Sequence, residues 1–559
     1  MTNASKPLKT ITPSDYQPAL PVDRLILQQA PDDEAVPMDV LFVGGGPAGL
    51  AGAIELARLV KQDAEQGGEL GDLEIGVLEK AETLGEHCLS GAIVNPRPFR
   101  DLLPDVPADE LPFRQPAPPD RVYMLSQRGK RKIPTPRTMH NKGNFVASIC
   151  EIVRWMGEKA EAAGVNVFTG FPADSLLVDG NQVLGIRTTP AGLDRDGNPG
   201  SGYMPPTDVT ARVTVLTEGT RGPLTQAYLN WQGINSANPQ IYALGVKELW
   251  QVKRRLDHVI HTMGWPLPKN AFGGSWLYPM ADDLISLGLV VGLDYRQTTL
   301  DVHILLQRLK EHPLVAPYLE AGELVEWGAK TIPEGGYYSL PERLHGDGLL
   351  IAGDAAGFVD VPSLKGIHYA VQSGIFAART IFESLKRDDT SAAGLAGYDA
   401  LVRDSYVGQD LYKTRNMRLA FKSGFYAGGA KAALMAATGG VVFGGRMTVH
   451  SDADEARQVT SALPFSPDGQ RTQSKVDAVF RSGNTTRDDI PSHLVVGAAE
   501  VPPEVVDLYV HMCPAAVYER EGDRLVVNAP NCIDCKATDI LGPRWTPREG
   551  GSGPSYKRM

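Results

Sequence analysis

Apolar and polar positions alternate most clearly near the start of the chain. Residues 38–43 form a short apolar run of strand composition, residues 50–59 carry helical periodicity, and residues 73–79 return to strand. Between the first two lies Gly44-Gly-Gly46-Pro-Ala-Gly49, so the order is strand, Gly-x-Gly-x-x-Gly turn, helix, strand, closing on Glu79. Dinucleotide binding needs each part. Gly44 turns the chain tightly, Gly46 lets the backbone approach a pyrophosphate, and Gly49 lets helix and strand pack closely. The helix N-terminus offers unspent N–H groups to the phosphates. Glu79 suits the hydroxyls of an adenosine ribose, with the polar insert 61–71 lengthening the usual connection. The alternative is a glycine-rich turn without a ligand.

Before this unit, residues 1–37 are polar, broken by proline and acidic at Asp32-Asp-Glu34; they read as a disordered arm, not a signal or transit peptide. After it come Lys80 and a loop with Gly85, Ser90 and Gly91, suited to folding over a cofactor, in which His87 and Cys88 read as packed. Residues 100–120 read as loop. Residues 121–133 read as a hairpin turning at Gln127-Arg-Gly129, with Arg128, Lys130, Arg131 and Lys132 on it. It is either a solvated hairpin or a basic one that meets lipid phosphates. Residues 145–163 predict an amphipathic helix, 165–168 a strand, and 175–216 strands and turns leading to Glu218-Gly219, where FAD enzymes return to the adenine.

Residues 240–340 alternate and are rich in aromatics, which predicts a β-sheet substrate domain. Gly273-Gly274 either leaves backbone N–H groups open to a flat ligand or makes a bulge. Residues 348–357 form a second fingerprint of strand, Gly353-Asp354 and helix start, with Asp354 placed for ribityl or ribose hydroxyls. Residues 362–368, Lys365 and Gly366 among them, open a helix through Ala378, whose N-terminus suits flavin N1/O2. Two fingerprints in this order point to FAD rather than NAD. Residues 419–445 are rich in Gly and Ala with few charges, a buried helix or one lying in a membrane interface.

Composition narrows the picture. A chain of 559 residues predicts two to four domains, and a formal charge of −11 argues against a nucleic-acid partner. No apolar run reaches the ~18 residues of a membrane span. Of the five cysteines, Cys88 and Cys150 are isolated, while Cys513, Cys532 and Cys535 crowd the C-terminus, which favours metal over disulfide. Cys513-Pro and Cys532-x-x-Cys535 follow ferredoxin spacing, but Thr538 stands at the third position of Cys-x-x-Cys-x-x-Cys. Three thiolates and a fourth ligand also suit zinc.

Taken in order, these motifs resemble the electron transfer flavoprotein–ubiquinone oxidoreductase family. The resemblance rests on Gly44–Gly49, Leu89-Ser-Gly91, Lys247-Glu-Leu-Trp250, His261-Thr-Met-Gly-Trp-Pro266, Gly273-Gly-Ser-Trp-Leu-Tyr278 and Gly288-Leu-Val-Val-Gly-Leu-Asp-Tyr295. It continues through Val361-Pro-Ser-Leu-Lys-Gly366, Cys513-Pro-Ala-Ala-Val-Tyr518 and Asn531-Cys-Ile-Asp-Cys535. It implies a mixed α/β and α+β fold. A Rossmann-type FAD domain of the glutathione-reductase/hydroxylase kind would occupy 38–235 and 345–415, and a β-sheet quinone domain 236–344. A membrane-facing helical segment at 416–450 and a ferredoxin-like iron–sulfur domain at 451–559 would complete it.

The implied activity takes electrons from reduced electron transfer flavoprotein, through an iron–sulfur centre and FAD, to ubiquinone. The enzyme would be monotopic, on the cytoplasmic face of a bacterial inner membrane. By position, Gly273 and Gly274 would meet the quinone, and the hairpin at Tyr123 with 419–445 would face the membrane. Cys513, Cys532 and Cys535 would bind the [4Fe–4S] cluster with Tyr518 near a sulfur. The family carries Thr-Cys where this chain has Ala537-Thr538, so the fourth ligand is open among Thr538, Asp534, Asp539 and solvent, or the centre is [3Fe–4S] or absent. Rival readings are an FAD-dependent isoprenoid reductase of the same superfamily, or a non-catalytic membrane-surface flavoprotein with a zinc-stabilised tail.

Overall fold

The computed structural model describes residues 9–497 and 501–559. Two large sheets carry the architecture. In the first, of nine strands, the fingerprint strand Val36–Val43 lies between Ile75–Glu79 and Asp208–Leu216, parallel to both. Leu349–Ile351 pairs in parallel with Asp208–Leu216, so both expected fingerprints end at the same edge. Central parallel strands are covered on both faces, which is why Val40, Leu41 and Phe42 form an unbroken buried run. Two helices cross over this edge, Pro47–Glu65 and Ile367–Lys386. They cross closely: a Cβ on Gly374 would stand 2.1 Å from the Ala48 carbonyl oxygen.

The second sheet has seven strands in the order Glu323–Pro333, Tyr242–Gln251, Leu284–Gly292, Gly273–Pro279, Val259–Gly264, Asp120–Leu125 and Lys130–Ile133. The hairpin expected at 121–133 forms, but it extends this sheet through parallel pairing of Asp120–Leu125 with Val259–Gly264. The expected boundary at 236 therefore fails in one respect: part of 38–235 belongs with the substrate sheet. The cysteine-rich module shares a core with this sheet. Trp250 and Trp327 pack in one cluster with Cys513, Tyr518, Ile533 and Trp545.

Three further expectations need correction. The arm is ordered from residue 9: Thr10–Ile11 pairs with Arg457–Gln458, and Ile26–Gln28 joins the first sheet beside Ala173–Asp179. Leu25 and Ile26 are buried in the first core and Ile11 in the second, so a few apolar residues anchor a polar stretch. Residues 1–8 of that expected arm lie outside the described residues. The helix expected from 145 spans Ile149–Ala162, because Phe145–Val146 pairs as strand and Ser148 caps the helix by accepting from the Glu151 N–H. The helix expected to open near residue 362 begins at Ile367, after a turn in which Leu364 has φ 59°.

Residues 419–445 contain the helix Phe425–Ala437, and it is not buried: Tyr426 is 74% and Leu434 45% exposed, with Val441 just beyond at 79%. Among the described residues, no helix is long and apolar enough to cross a membrane.

Candidate functional site

A cavity of about 350 Å³ lies between the two sheets. The structure brings to it Gly44, Gly46, Glu79 and Lys80 from the first unit, and Ser90, Gly91 and Gly219 from the loops. Gly353, Asp354, Lys365 and Gly366 line it from the second fingerprint. Gly49 lies beneath, where a Cβ would meet the Gly44 carbonyl oxygen at 2.1 Å, the close packing expected of the third glycine.

The phosphate-binding features are present as geometry. Gly44 has φ 118°, a conformation that favours glycine. Gly46 caps the helix Pro47–Glu65 without any side-chain bond to its first N–H groups, and the space beyond its Cα is open. Glu79 steadies the turn, accepting from the Gly45 N–H at 3.0 Å and the Ala81 N–H at 2.9 Å. Each carboxylate oxygen keeps a lone pair for a ribose hydroxyl. The helix Ile367–Lys386 also begins without a side-chain cap, at Gly366 on the cavity wall. Burial pushes the Asp354 carboxyl up to about 6, against the opposing pull of Lys330 and the Thr220 hydroxyl.

Several lining residues escaped sequence reasoning. Lys330 sits in the strand Glu323–Pro333 among buried neighbours, and a lysine within so apolar a strand was the available signal. Lys536 and Trp545 reach the cavity from the cysteine module. His261 and Tyr278 line it from the second sheet, 3.4 Å apart between Nδ1 and hydroxyl. Burial, reinforced by Lys365, takes His261 down to about 3, so its ring is neutral, and Nε2 has no partner. His87, expected to be packed, is buried and also lines the cavity.

Gly273 and Gly274 do not line this cavity. They begin the strand Gly273–Pro279 opposite Val291 and Val290, and only Val290 reaches the wall. Gly273 has φ 150°, and a Cβ there would stand 2.1 Å from the Val290 carbonyl oxygen.

Behind Lys536, the structure assembles the three C-terminal cysteines, all buried and unbridged. Ionising Cys513 or Cys532 would disfavour ionising Cys535, which reflects their proximity. Each sulfur accepts a backbone N–H from two residues on: Ala515 for Cys513, Asp534 for Cys532 and Ala537 for Cys535. Ala516, Asp534 and Lys536 take φ values of 49°, 54° and 69°, which curl the loops around the sulfurs. Burial, reinforced by the charge of Asp534, pushes the Cys532 thiol up to about 12, so a bound cation is needed to hold these groups as thiolates. The donor set fits an iron–sulfur group in its sulfur ligands and N–H···S bonds, and falls short of it by one thiolate.

Thr538 occupies the remaining position. Its hydroxyl donates to the Pro543 carbonyl at 3.2 Å and lies 2.5 Å from the buried Tyr518 hydroxyl. Both nearby carboxylates are engaged. Asp534 accepts from the Trp545 indole N–H at 2.9 Å and from Arg548 at 3.0 Å, with Lys80 against its other oxygen. Burial would raise this carboxyl, but Arg548 and Lys80 outweigh it and hold it well below its ordinary value. Asp539 accepts from Arg221 at 2.7 Å and from the Trp545 backbone N–H at 3.1 Å. His493 is buried with both ring nitrogens unpartnered, within 4.8 Å of Cys532 and Asp534.

One strand joins the two regions. The Cys535 carbonyl accepts from the Thr331 N–H at 3.0 Å and hydroxyl at 2.8 Å, and Thr331 also lines the cavity.

Known proteins resemble the chain over both regions. The family described as "ETF-QO, ubiquinone-binding" matches residues 242–332, and "Electron transfer flavoprotein-ubiquinone oxidoreductase, 4Fe-4S" matches residues 469–557. The mitochondrial electron transfer flavoprotein-ubiquinone oxidoreductase of Oryza sativa subsp. japonica is 36% identical over 94% of this chain and 94% of its own. That of Sus scrofa is 36% identical over 93% and 89%. Among solved structures, a geranylgeranyl bacteriochlorophyll reductase-like protein from Thermoplasma acidophilum shares the fold, with a TM-score of 0.55 and 20% identity over 72% of this chain and 91% of its own.

Proposed function

The chain belongs to the electron transfer flavoprotein–ubiquinone oxidoreductase family, and from that premise we propose that it passes electrons from reduced electron transfer flavoprotein to ubiquinone, with FAD and a [4Fe–4S] cluster as cofactors. The observation that carries this reading is the shared wall. Thr331 borders the cavity and holds the Cys535 carbonyl, and Lys536, next in sequence, borders the cavity too. A one-electron centre and a flavin placed there would be neighbours.

FAD exchanges electrons singly or in pairs, and the cluster exchanges them singly. The protein's part is to bind and orient. The open N–H groups after Gly46 take the pyrophosphate, Glu79 the adenosine ribose, and Asp354 the ribityl or ribose hydroxyls. The N-terminus of Ile367–Lys386 favours negative charge on the flavin pyrimidine. Lys80, Lys330 and Lys536 line the wall between the centres, where burial draws Lys330 and Lys536 below their ordinary value. Gly273 and Gly274 approach the quinone head group through their backbone.

We also infer monotopic attachment, on the cytoplasmic face of a bacterial inner membrane. Tyr426, Leu434 and Val441 expose apolar surface, and Tyr426 borders a second cavity of about 590 Å³ with Leu125, Trp265, Lys130 and Arg131. Apolar insertion beside cations is the composition of an interfacial anchor.

Rapid mixing tests the activity. Anaerobically reduced protein is mixed with a short-chain ubiquinone, and separately with reduced electron transfer flavoprotein plus that quinone. Flavin reoxidation with matching quinol formation is the expected result. A flavin inert to quinone but able to reduce an isoprenoid double bond would replace this reading.

A further inference from the structure

We propose that the cluster is anchored by three thiolates only, and that its fourth iron is exchangeable because no charged side chain is free to bind it. The inference rests on the cluster reading above and concerns a position where this chain departs from four-cysteine spacing. A [4Fe–4S] cube presents four irons, each wanting one terminal ligand. Cys513, Cys532 and Cys535 supply three, each in a loop whose N–H groups are turned onto the sulfur.

The carboxylate candidates for the fourth are eliminated by what they already do. Asp534 is bound by Trp545, Arg548 and Lys80, so turning it to an iron would strand the buried Arg548 and release the half-buried Lys80. Asp539 is bound by Arg221 and the Trp545 backbone, with the same penalty. The His493 ring makes no other bond and lies within 4.8 Å of Cys532 and Asp534, which leaves it as the rival ligand that the His493→Ala variant decides. Thr538 remains, three residues after Cys535, and its hydroxyl is a neutral oxygen already donating to Pro543 and paired with Tyr518. A neutral hydroxyl is a poor ligand for iron beside thiolates. The Tyr518–Thr538 pair therefore lies beside this corner without closing it.

The consequence is a defined reaction with a one-electron oxidant such as ferricyanide. The cluster [4Fe–4S]²⁺ gives [3Fe–4S]⁺, one Fe²⁺ and one electron, and the electron reduces ferricyanide to ferrocyanide. The three cysteine–iron bonds persist, and only the bonds to the fourth iron break.

The test uses anaerobically purified full-length protein and reads iron, sulfide and EPR, independently of turnover. One equivalent of ferricyanide with a ferrous chelator is expected to release about one iron in four with all sulfide retained, and to produce an oxidised-state EPR signal. Thr538→Cys is expected to keep its iron and remain EPR-silent. Returning ⁵⁷Fe²⁺ and reductant to the treated wild-type protein should label a single site by Mössbauer spectroscopy, a result that does not depend on any variant folding.

Wild-type protein that keeps all its iron would overturn the proposal. Label scattered over several sites would overturn it too. Iron retained in wild type but lost in His493→Ala would overturn it by naming the ligand. Protein with no iron overturns both this proposal and the cluster reading, while flavin reoxidation by quinone still decides the activity separately.

Discussion

Asp354 carries a charge that its surroundings disfavour. Burial lifts its carboxyl to about 6. Hydroxyl groups of a bound FAD would donate to the carboxylate and favour the ionised form, so binding lowers this pKa and releases a proton. The sign follows: FAD affinity is highest above pH 6 and falls as pH drops through 6, by at most about tenfold per unit. FAD titrations of apoprotein between pH 5 and 8 check this, and Asp354→Asn should bind more weakly and lose the slope. A slope that survives in the variant assigns the titration elsewhere. Gly273 shows the limit of reading single residues. A side chain there meets the Val290 carbonyl, so Gly273→Val would displace a strand along with any ligand. Val290 itself reaches the wall, and Val290→Phe is expected to slow flavin reoxidation by quinone at unchanged FAD content, read by rapid mixing against the 450-nm absorbance as a roughly tenfold effect. At this scale the glycine turn, Glu79, Asp354 and the three cysteines were legible, because each is tied to chemistry at fixed spacing. Lys330, Lys536 and His261 were not, because their neighbours across the cavity come from distant segments.

Elements were legible where their own periodicity determines them. The strand Val36–Val43 and helix Pro47–Glu65 stand where the pattern puts them, though the helix runs on into the polar stretch expected as connection. Elements stabilised by a partner were missed. Thr10–Ile11 and Ile26–Gln28 are too short to announce themselves and exist as strands because Arg457–Gln458 and Ala173–Asp179 offer open edges. The exposed helix Phe425–Ala437 was ambiguous for a different reason: an apolar helix reads alike whether protein or lipid covers it. The crossing of Pro47–Glu65 on Ile367–Lys386 yields a prediction at this scale. Since a Cβ on Gly374 would stand 2.1 Å from the Ala48 carbonyl, Gly374→Ala must push apart the two helices whose N-termini border the cavity. The expected cost is about 1–3 kcal/mol in urea unfolding, with substoichiometric FAD after purification. Wild-type stability and full flavin would mean that the helices re-pack without consequence at the cavity.

At the scale of the whole molecule, the order of the motifs foretold two sheets and a cysteine module, but not that one strand joins the second sheet, the cavity and the module. Glu323–Pro333 is the edge of the second sheet, carries Lys330 and Thr331 to the cavity, and clasps the Cys535 carbonyl. That arrangement gives the molecule a direction. The cysteines lie behind one wall of the cavity, while the hairpin Asp120–Ile133 and the helix Phe425–Ala437 border a second cavity at the far edge of the same sheet. If that edge rests on a bilayer, a lipid-soluble acceptor approaches from below and a soluble donor from above. The two kinds of attraction are separable. Tyr426→Glu with Leu434→Glu removes the exposed apolar contact and should weaken binding to vesicles of any headgroup charge by roughly tenfold. Lys130→Glu with Arg131→Glu should weaken binding to anionic vesicles only, by about 1 kcal/mol per residue, and abolish its salt dependence. Both variants should reduce short-chain ubiquinone in solution at the wild-type rate and lose turnover with long-chain quinone held in vesicles. Sedimentation with vesicles, beside the two quinone assays, reads all of this. Unchanged sedimentation in both variants would move the membrane contact to another face, and equal losses with both quinones would turn these residues from an anchor into part of the quinone path.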